Sequence, residues 1–276
     1  MENLQYELTR PFEINFAIRT NNEMSFFHYH NSYEILFIES GERSVIIEND
    51  VIKLEEGDVL LINSNALHRI YGSNCTRVLI YFTNEYLEKF YSKATVARFT
   101  RIFDSYLLKF DKDEFKQLLQ LLNMIQEEYK YGASSFFYLH LGEVFTLLEK
   151  KYNFQKKNNS TFKNANSLIS NVLNYINQNF TTITSLEDLT QHFYLTKHHL
   201  CRMFKKETSS TINQYITILK MRKACELLEN TNMKSTEICS QCGFNSPIYF
   251  TQCFKKLFNM TPLEYRSKAK EKSQLT

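Results

Sequence analysis

Apolar residues recur in two rhythms along this 276-residue chain, and the rhythm changes near residue 84. Before that point the apolar runs are short, β-branched and aromatic: Tyr33–Ile38, Ser44–Ile47, Val59–Ile62 and Val78–Phe82. Turn chemistry separates them at Ser40-Gly41, Glu48-Asn49-Asp50, Glu56-Gly57-Asp58 and Tyr71-Gly72-Ser73. Several strands at this spacing predict a small barrel or sandwich, not a parallel sheet. Beyond residue 84 the period becomes helical. Phe115, Leu118, Leu119, Leu122 and Ile125 make one amphipathic stripe, and Leu139, Val144, Leu147 and Leu148 within Phe136–Lys151 make another. Such stripes pack on their own domain or form a subunit contact.

Residues Gln155–Thr161 are polar and lack apolar periodicity, which predicts a linker. Helical pattern resumes with Leu168, Val172, Leu173 and Ile176. The expected fold is α+β. It comprises an N-terminal domain over 1–154 (β-barrel about 10–85, helices about 86–154), a linker at 155–164 and an all-α domain over 165–276.

The C-terminal third contains a degenerate repeat. Leu200, Phe204, Lys205, Lys206, Thr211 and Tyr215 recur fifty residues later as Phe250, Phe254, Lys255, Lys256, Thr261 and Tyr265. Upstream the offset is forty-nine, Leu189-Thr190 matching Ile238-Cys239. Each copy reads as a short helix, a tight turn and a second helix opened by a cap, Thr196 in one and Ser246-Pro247 in the other. That is the helix-turn-helix pattern, whose second helix lies in a DNA major groove. Between the copies, Ile212–Leu228 reads as one helix with Ile216, Leu219, Ala224 and Leu227 inward. At ~1.5 Å per residue it is roughly 25 Å long, enough to hold two recognition helices about one DNA turn apart.

Periodicity assigns the faces of the two recognition helices. In the first, Leu200, Met203 and Phe204 point inward, and Lys197, His198, Cys201, Arg202 and Lys205 outward. Arg202 is the sharpest base reader, since a guanidinium holds guanine O6 and N7 together; Lys197 and Lys205 suit phosphates. In the second, Phe250, Cys253, Phe254 and Leu257 point inward, leaving Pro247, Ile248, Thr251, Gln252 and Lys255 outward. Gln252 can pair with adenine and Ile248 can meet a thymine methyl. The helix-start amides at Thr196 and Ser246 suit phosphate oxygens. Charge is consistent with this. Residues 161–276 carry 15 Lys+Arg against 8 Asp+Glu, a net of +7, whereas residues 1–160 carry 18 against 22, a net of −4.

The stretches TSLEDLTQHFYLTKHHLCRMFKKETSSTINQYI, MRKACELL and STEICSQCGFNSPIYFTQCFKKLFNMTPLEYR resemble the DNA-binding domain of AraC/XylS-family transcription regulators over about 100 residues. The resemblance implies recognition helices in successive major grooves, with base contacts at His198, Cys201, Arg202, Ile248 and Gln252. It also implies double-stranded promoter DNA and RNA polymerase as partners, activation of transcription, a homodimer, and a small-molecule effector for which a sugar or a related small metabolite is the expected class, with a fatty acid or an aromatic compound left open. Two departures concern backbone conformation: Ser209 and Asn259 stand where the family has glycine, and Ser tolerates left-handed geometry less well than Asn.

His28, His30, Glu34 and Gly41, then Gly57 and His68, resemble the spacing of the cupin motifs, well for the first and partly for the second, where Asn63 and Asn65 replace the usual Pro and Gly and Gly72 the final Asn. In metal-binding cupins the matching three His and one Glu are ligands. In a regulator they are expected as polar lining of an effector pocket, with Tyr29, Tyr33, Phe37 and Tyr81 as stacking faces. Metal binding and a purely structural role are the alternatives, and no cofactor is expected. Two rival functions stay open: a metal-dependent cupin enzyme with an accessory DNA-binding domain, and a DNA-binding regulator without an effector.

The remaining chemistry is thin. Cys239-Ser-Gln-Cys242 has no second pair at zinc spacing and reads as two small buried residues. There is no phosphate-binding glycine loop and no G-x-S-x-G motif, so a nucleotide enzyme or serine hydrolase is disfavoured. The N-terminus does not read as a secretory signal, no stretch approaches the roughly 18 apolar residues of a membrane span, and the six cysteines do not form a secreted framework. A cytoplasmic protein is expected.

Overall fold

The computed structural model describes residues 10–19, 27–72, 74–158 and 168–274. The described residues form eight strands: β1 (Phe12–Arg19), β2 (Tyr33–Gly41), β3 (Arg43–Ile47), β4 (Asp50–Leu54), β5 (Asp58–Ile62), β6 (His68–Tyr71), β7 (Cys75–Phe82) and, after the first two helices, β8 (Leu107–Lys109). They form two antiparallel sheets, ordered β1-β7-β2-β5-β8 and β4-β3-β6, instead of a closed barrel. The cupin-like expectation holds in this open form.

Alternation of side chains along β2 explains the layering. Leu36 and Ile38 face the smaller sheet and join Val45, Ile47, Leu54, Leu60 and Leu79 in a core between the sheets. Ile35 and Phe37 point the other way, into a second core beneath the helices α1 (Asn84–Leu87), α2 (Lys93–Thr100), α3 (Lys112–Lys130) and α4 (Ser135–Lys157). Glu55–Asp58 turns the chain from one sheet to the other; Gly57 takes φ +87°, and its missing Cβ leaves room for the Phe110 carbonyl.

On α4 the expected stripe holds at Val144 and Leu148, with Leu147 half-buried, and fails at Leu139. Phe137, Leu141, Val144, Phe145, Leu148 and Tyr152 are buried, whereas Leu139 and Phe136 are about two-thirds exposed. The α4 helix also runs through Lys157, into the polar segment 155–164. Gln155 is buried there because its Oε1 accepts the Lys109 amide of β8. Residues 159–164 of the expected linker, and Ser73 of one turn, lie outside the described residues.

Beyond α4 the described residues form seven helices: α5 (Leu168–Asn179), α6 (Leu186–Phe193), α7 (Lys197–Thr208), α8 (Ile212–Asn230), α9 (Ser235–Gln241), α10 (Pro247–Phe258) and α11 (Pro262–Gln274). The α8 helix buries residues around most of its circumference, including Ile212, Tyr215, Ile216, Leu219, Met221, Ala224, Cys225 and Leu228. It packs on the first unit, on the second unit and on the smaller sheet. Phe27, Tyr29, Ile46 and Leu67 share this helical core.

Polar contacts tie the seam. The Tyr215 hydroxyl donates to the Glu48 carbonyl (3.2 Å), and Asn177 donates to Asn49 (2.6 Å). From β6, Arg69 donates to the Ser209 carbonyl (3.0 Å) and Tyr71 to that of Glu207. Both acceptors belong to the end of α7, where carbonyls lack helical partners.

Candidate functional site

Helices α7 and α10 are the second members of two helix-turn-helix units, and both begin as their sequences predict. Thr196 caps α7 by accepting the His199 amide (3.3 Å), and Ser246 caps α10 by accepting that of Tyr249 (3.3 Å), with Pro247 at the first helical position. They also end alike, at Ser209 and Asn259 in left-handed conformation (φ 51° and 56°). Leu200 and Phe204 anchor one helix and Phe250 and Phe254 the other, each nearly or fully buried.

The opposite faces are open. Lys197, His198, Arg202 and Lys205 are exposed on α7, with Cys201 half-buried beside them. On α10, Pro247, Ile248, Gln252 and Lys255 are exposed, while Ser246 and Thr251 are half-buried. Ile248 is 74% exposed, which costs hydrophobic stability and has no counterpart in packing. Two residues carry prior engagements: Lys197 pairs with Glu187 (3.2 Å), and the Thr251 hydroxyl donates to the Pro247 carbonyl (2.9 Å). Sequence periodicity overlooked Tyr194, 95% exposed in left-handed backbone at the turn before α7, and Tyr249, 55% exposed at the start of α10. Tyr194 is a turn residue and belongs to no stripe, so periodicity carries no signal for it; left-handed geometry at a tyrosine is itself unusual.

In the N-terminal domain the structure brings His28, His30, Glu34 and His68 together. Their ligating atoms lie within 4.8 Å of one another, and all four residues are buried. His28 and His30 come from an extended segment bridged to His68 by paired backbone bonds of 3.0 Å; Glu34 comes from β2 and His68 opens β6. Of the four expected stacking rings, only Tyr81 lies against the quartet, 5.2 Å from His30. Tyr33 and Phe37 alternate with Glu34 and so face the helices, and Tyr29 alternates with His28 and His30 and so faces the seam.

Ring roles are set by the partners. His68 Nδ1 lies 2.9 Å from the Ala66 carbonyl and His30 Nδ1 lies 2.9 Å from that of Ser32, so each Nδ1 is assigned as a donor. Both Nε2 atoms then face Glu34 Oε2, at 3.3 Å and 3.0 Å. Two neutral imidazoles would aim lone pairs at a carboxylate; a cation among them, either protons on the rings or a metal ion, removes the repulsion. Burial pushes the Glu34 carboxyl up, but the hydrogen bond from His30 and the close approach of His68 outweigh it and hold it well below the usual carboxylate range. His68 Nε2 forms no good hydrogen bond of its own. Three imidazoles and a carboxylate, two of the rings braced by backbone carbonyls, fit a divalent ion. Such an ion would be held by His28, His30, Glu34 and His68 and would supply a cross-link between three segments.

Among the described residues no helix is long and apolar enough to cross a membrane. The family model for a helix-turn-helix domain matches residues 189–268, and that for a cupin domain matches residues 18–79. The HTH-type transcriptional activator RhaR of Mannheimia succiniciproducens is 27% identical over 87% of this chain and 87% of its own length. The lactose operon transcription activator of Staphylococcus xylosus is 28% identical over 60% of each chain. The multiple antibiotic resistance protein MarA of Salmonella typhimurium is 35% identical over 36% of this chain and 77% of its own. With two capped recognition helices on one helical scaffold and these relatives, the chain belongs to the AraC/XylS family of DNA-binding, helix-turn-helix transcriptional regulators.

Proposed function

We propose that this protein is a cytoplasmic, sequence-specific activator that reads two adjacent major grooves and answers to a small effector held by its N-terminal domain. The observation that carries the reading is the pair of open faces on α7 and α10, fixed relative to each other by α8. This 19-residue helix is about 28 Å long at ~1.5 Å per residue, close to the ~34 Å of one DNA turn. The contact set is Lys197, His198, Cys201, Arg202 and Lys205 with Ser246, Pro247, Ile248, Thr251, Gln252 and Lys255. Lys205 and Lys255 address phosphates, and Arg202 and Gln252 address base edges. The domains in this reading are 1–154 for sensing and self-association and 165–276 for DNA, joined through 155–164. Met124, Phe136 and Leu139 are exposed apolar positions on α3 and α4 and suit a second copy of the chain. RNA polymerase is the protein partner that activation requires.

The test is a mobility-shift titration with footprinting on DNA upstream of its gene and neighbours, at two salt concentrations, against random competitor. Two protected patches about one helical turn apart, surviving excess competitor, are expected. Weak and wholly salt-labile retention in the presence and absence of metabolites would sink the reading.

In this reading His28, His30, Glu34 and His68 form the polar centre of the sensing domain. One observation also favours an ion there: four donor atoms converge within 4.8 Å without solvent exposure, a space of ionic rather than metabolite size. Elemental analysis of the purified protein, and its melting temperature with added zinc or manganese and with chelator, test that assignment.

A further inference from the structure

Two of the segments that carry the histidine quartet have a second face. In segment 27–30, His28 and His30 join the quartet, whereas Phe27 and Tyr29 are buried in the core of the helical domain. At the start of β6, His68 joins the quartet, whereas Leu67 and Arg69 on either side of it face the helical domain. The neighbouring strand repeats the division. Ile47, paired with His68, lies between the sheets, and Ile46, paired with Arg69, lies in the helical core. Alternation of side chains thus puts candidate ion ligands on one face and docking residues on the other, one position apart.

The docking face ends on the upstream reader. The Phe27 ring packs 5.0 Å from that of Tyr215 on α8, and the Arg69 guanidinium lies over Phe27 (5.7 Å) and Tyr71 (5.8 Å). From there Arg69 and Tyr71 donate to the Ser209 and Glu207 carbonyls at the end of α7. Backbone bonds alone hold this element weakly. His28 and His68 form an isolated bridge with two bonds of 3.0 Å, and the Asn65 amide adds one to the His30 carbonyl (2.7 Å). A slip of one residue would exchange the two faces. Side chains of both segments, converging on one point with Glu34, fix the register that the bridge leaves loose.

We propose that segment 27–30 and β6 form a two-faced coupling element, through which a divalent transition-metal ion held by His28, His30, Glu34 and His68 controls the docking of the upstream DNA reader. Three imidazoles with one carboxylate select an ion of the zinc, nickel, cobalt or ferrous class over magnesium or calcium. The two segments close on such an ion only in the register that buries Phe27, Tyr29 and Leu67 at the seam. The docked arrangement therefore binds it more tightly, and differential affinity is what shifts an equilibrium. The outer faces of α7 and α10 stay open in that arrangement, so the ion-bound chain is the DNA-competent one. The consequence at a promoter rests on the regulator reading; the coupling within the chain does not.

The experiment is hydrogen–deuterium exchange and thermal melting of the full-length protein, stripped with chelator and titrated with zinc chloride. Magnesium and calcium chloride serve as comparators. Zinc is expected to bind at one equivalent per chain, to raise the melting temperature saturably and to slow amide exchange over residues 204–210 about fivefold or more. Glu34→Gln is expected to lose most of that response. Arg69→Ala is expected to keep the bound zinc and the rise in melting temperature but not the slowing at 204–210, a split that a merely structural ion would not give. The stripped and loaded forms of the parent protein are compared directly, so the test stands even where a variant fails to fold. The proposal is overturned if the parent binds no zinc, if magnesium or calcium acts as zinc does, if bound zinc leaves exchange at 204–210 unaltered, or if Arg69→Ala shows the parent's slowing. A specific footprint that persists in any of those cases leaves the regulator reading intact. Zinc-coupled exchange without specific DNA retention would sink that reading alone.

Discussion

Ser209 and Asn259 close α7 and α10 in left-handed backbone, a conformation that glycine takes without strain. Ser bears that conformation poorly, so Ser209→Gly is expected to raise stability by a few tenths to about 1 kcal/mol, with Asn259→Gly closer to neutral, read from paired denaturant melts. Gly243 is the opposite case. It sits at φ +74°, and a Cβ there would stand 2.1 Å from the Thr181 carbonyl oxygen. Gly243→Ala should therefore cost more than about 2 kcal/mol, and an unchanged melt would refute the geometry of the second turn. On the DNA faces, Arg202→Ala should lose about 1–3 kcal/mol and relax preference at one base pair. Lys255→Ala should weaken all sequences alike and flatten the salt slope by about one. Equal behaviour of the two variants on matched and mismatched operators would undo the division into base and phosphate contacts.

Helix α8 sets the spacing and phase of the two readers. Each residue added to a helix rotates the downstream chain by about 100°. One alanine inserted at its middle should therefore abolish simultaneous binding while sparing single-site contacts, visible as half a footprint. The helical repeat was legible in sequence because caps and anchors, Thr196 with Phe204 and Ser246 with Phe254, are local features with fixed offsets. The strands β4, β6 and β8 were not. They are three to five residues long, and Asp50–Leu54 and His68–Tyr71 carry charged residues that interrupt any apolar run. Their pairing is decided by partners distant in sequence. The misplacement of Leu139 on α4 has a similar origin: aromatic and aliphatic residues fill most of Phe136–Leu148, so several stripes fit and only the sheet beneath selects one.

At the scale of the whole molecule, the four residues of the quartet were legible as a motif, but the seam was not. Nothing local marks Arg69 or Tyr71 as partners of a helix some 140 residues onward. Cutting those two bonds with Arg69→Ala and Tyr71→Phe is expected to leave secondary structure unchanged and to alter operator affinity by several-fold, because the end of α7 then loses two ties to the N-terminal domain. Circular dichroism and the mobility-shift assay separate the two effects; unaltered affinity would show that the docking is silent. Association is addressed by Phe136→Glu with Leu139→Glu, which should lower the sedimentation mass if α4 carries the second copy.

The end of α7 is finished by donors that lie outside its own domain, and this bears on how the chain matures. The strand β6 emerges from the ribosome long before α7, and domains commonly fold in order of synthesis. The first reader unit thus meets a template already in place, which offers Arg69 and Tyr71 to carbonyls it could otherwise satisfy only with water. The second unit, built on α9 and α10, has its own glycine turn and its own core of Phe250, Phe254 and Tyr265. A lesion in the sheet would consequently surface first as slow or incomplete maturation of the upstream reader, in a protein whose downstream reader is already competent.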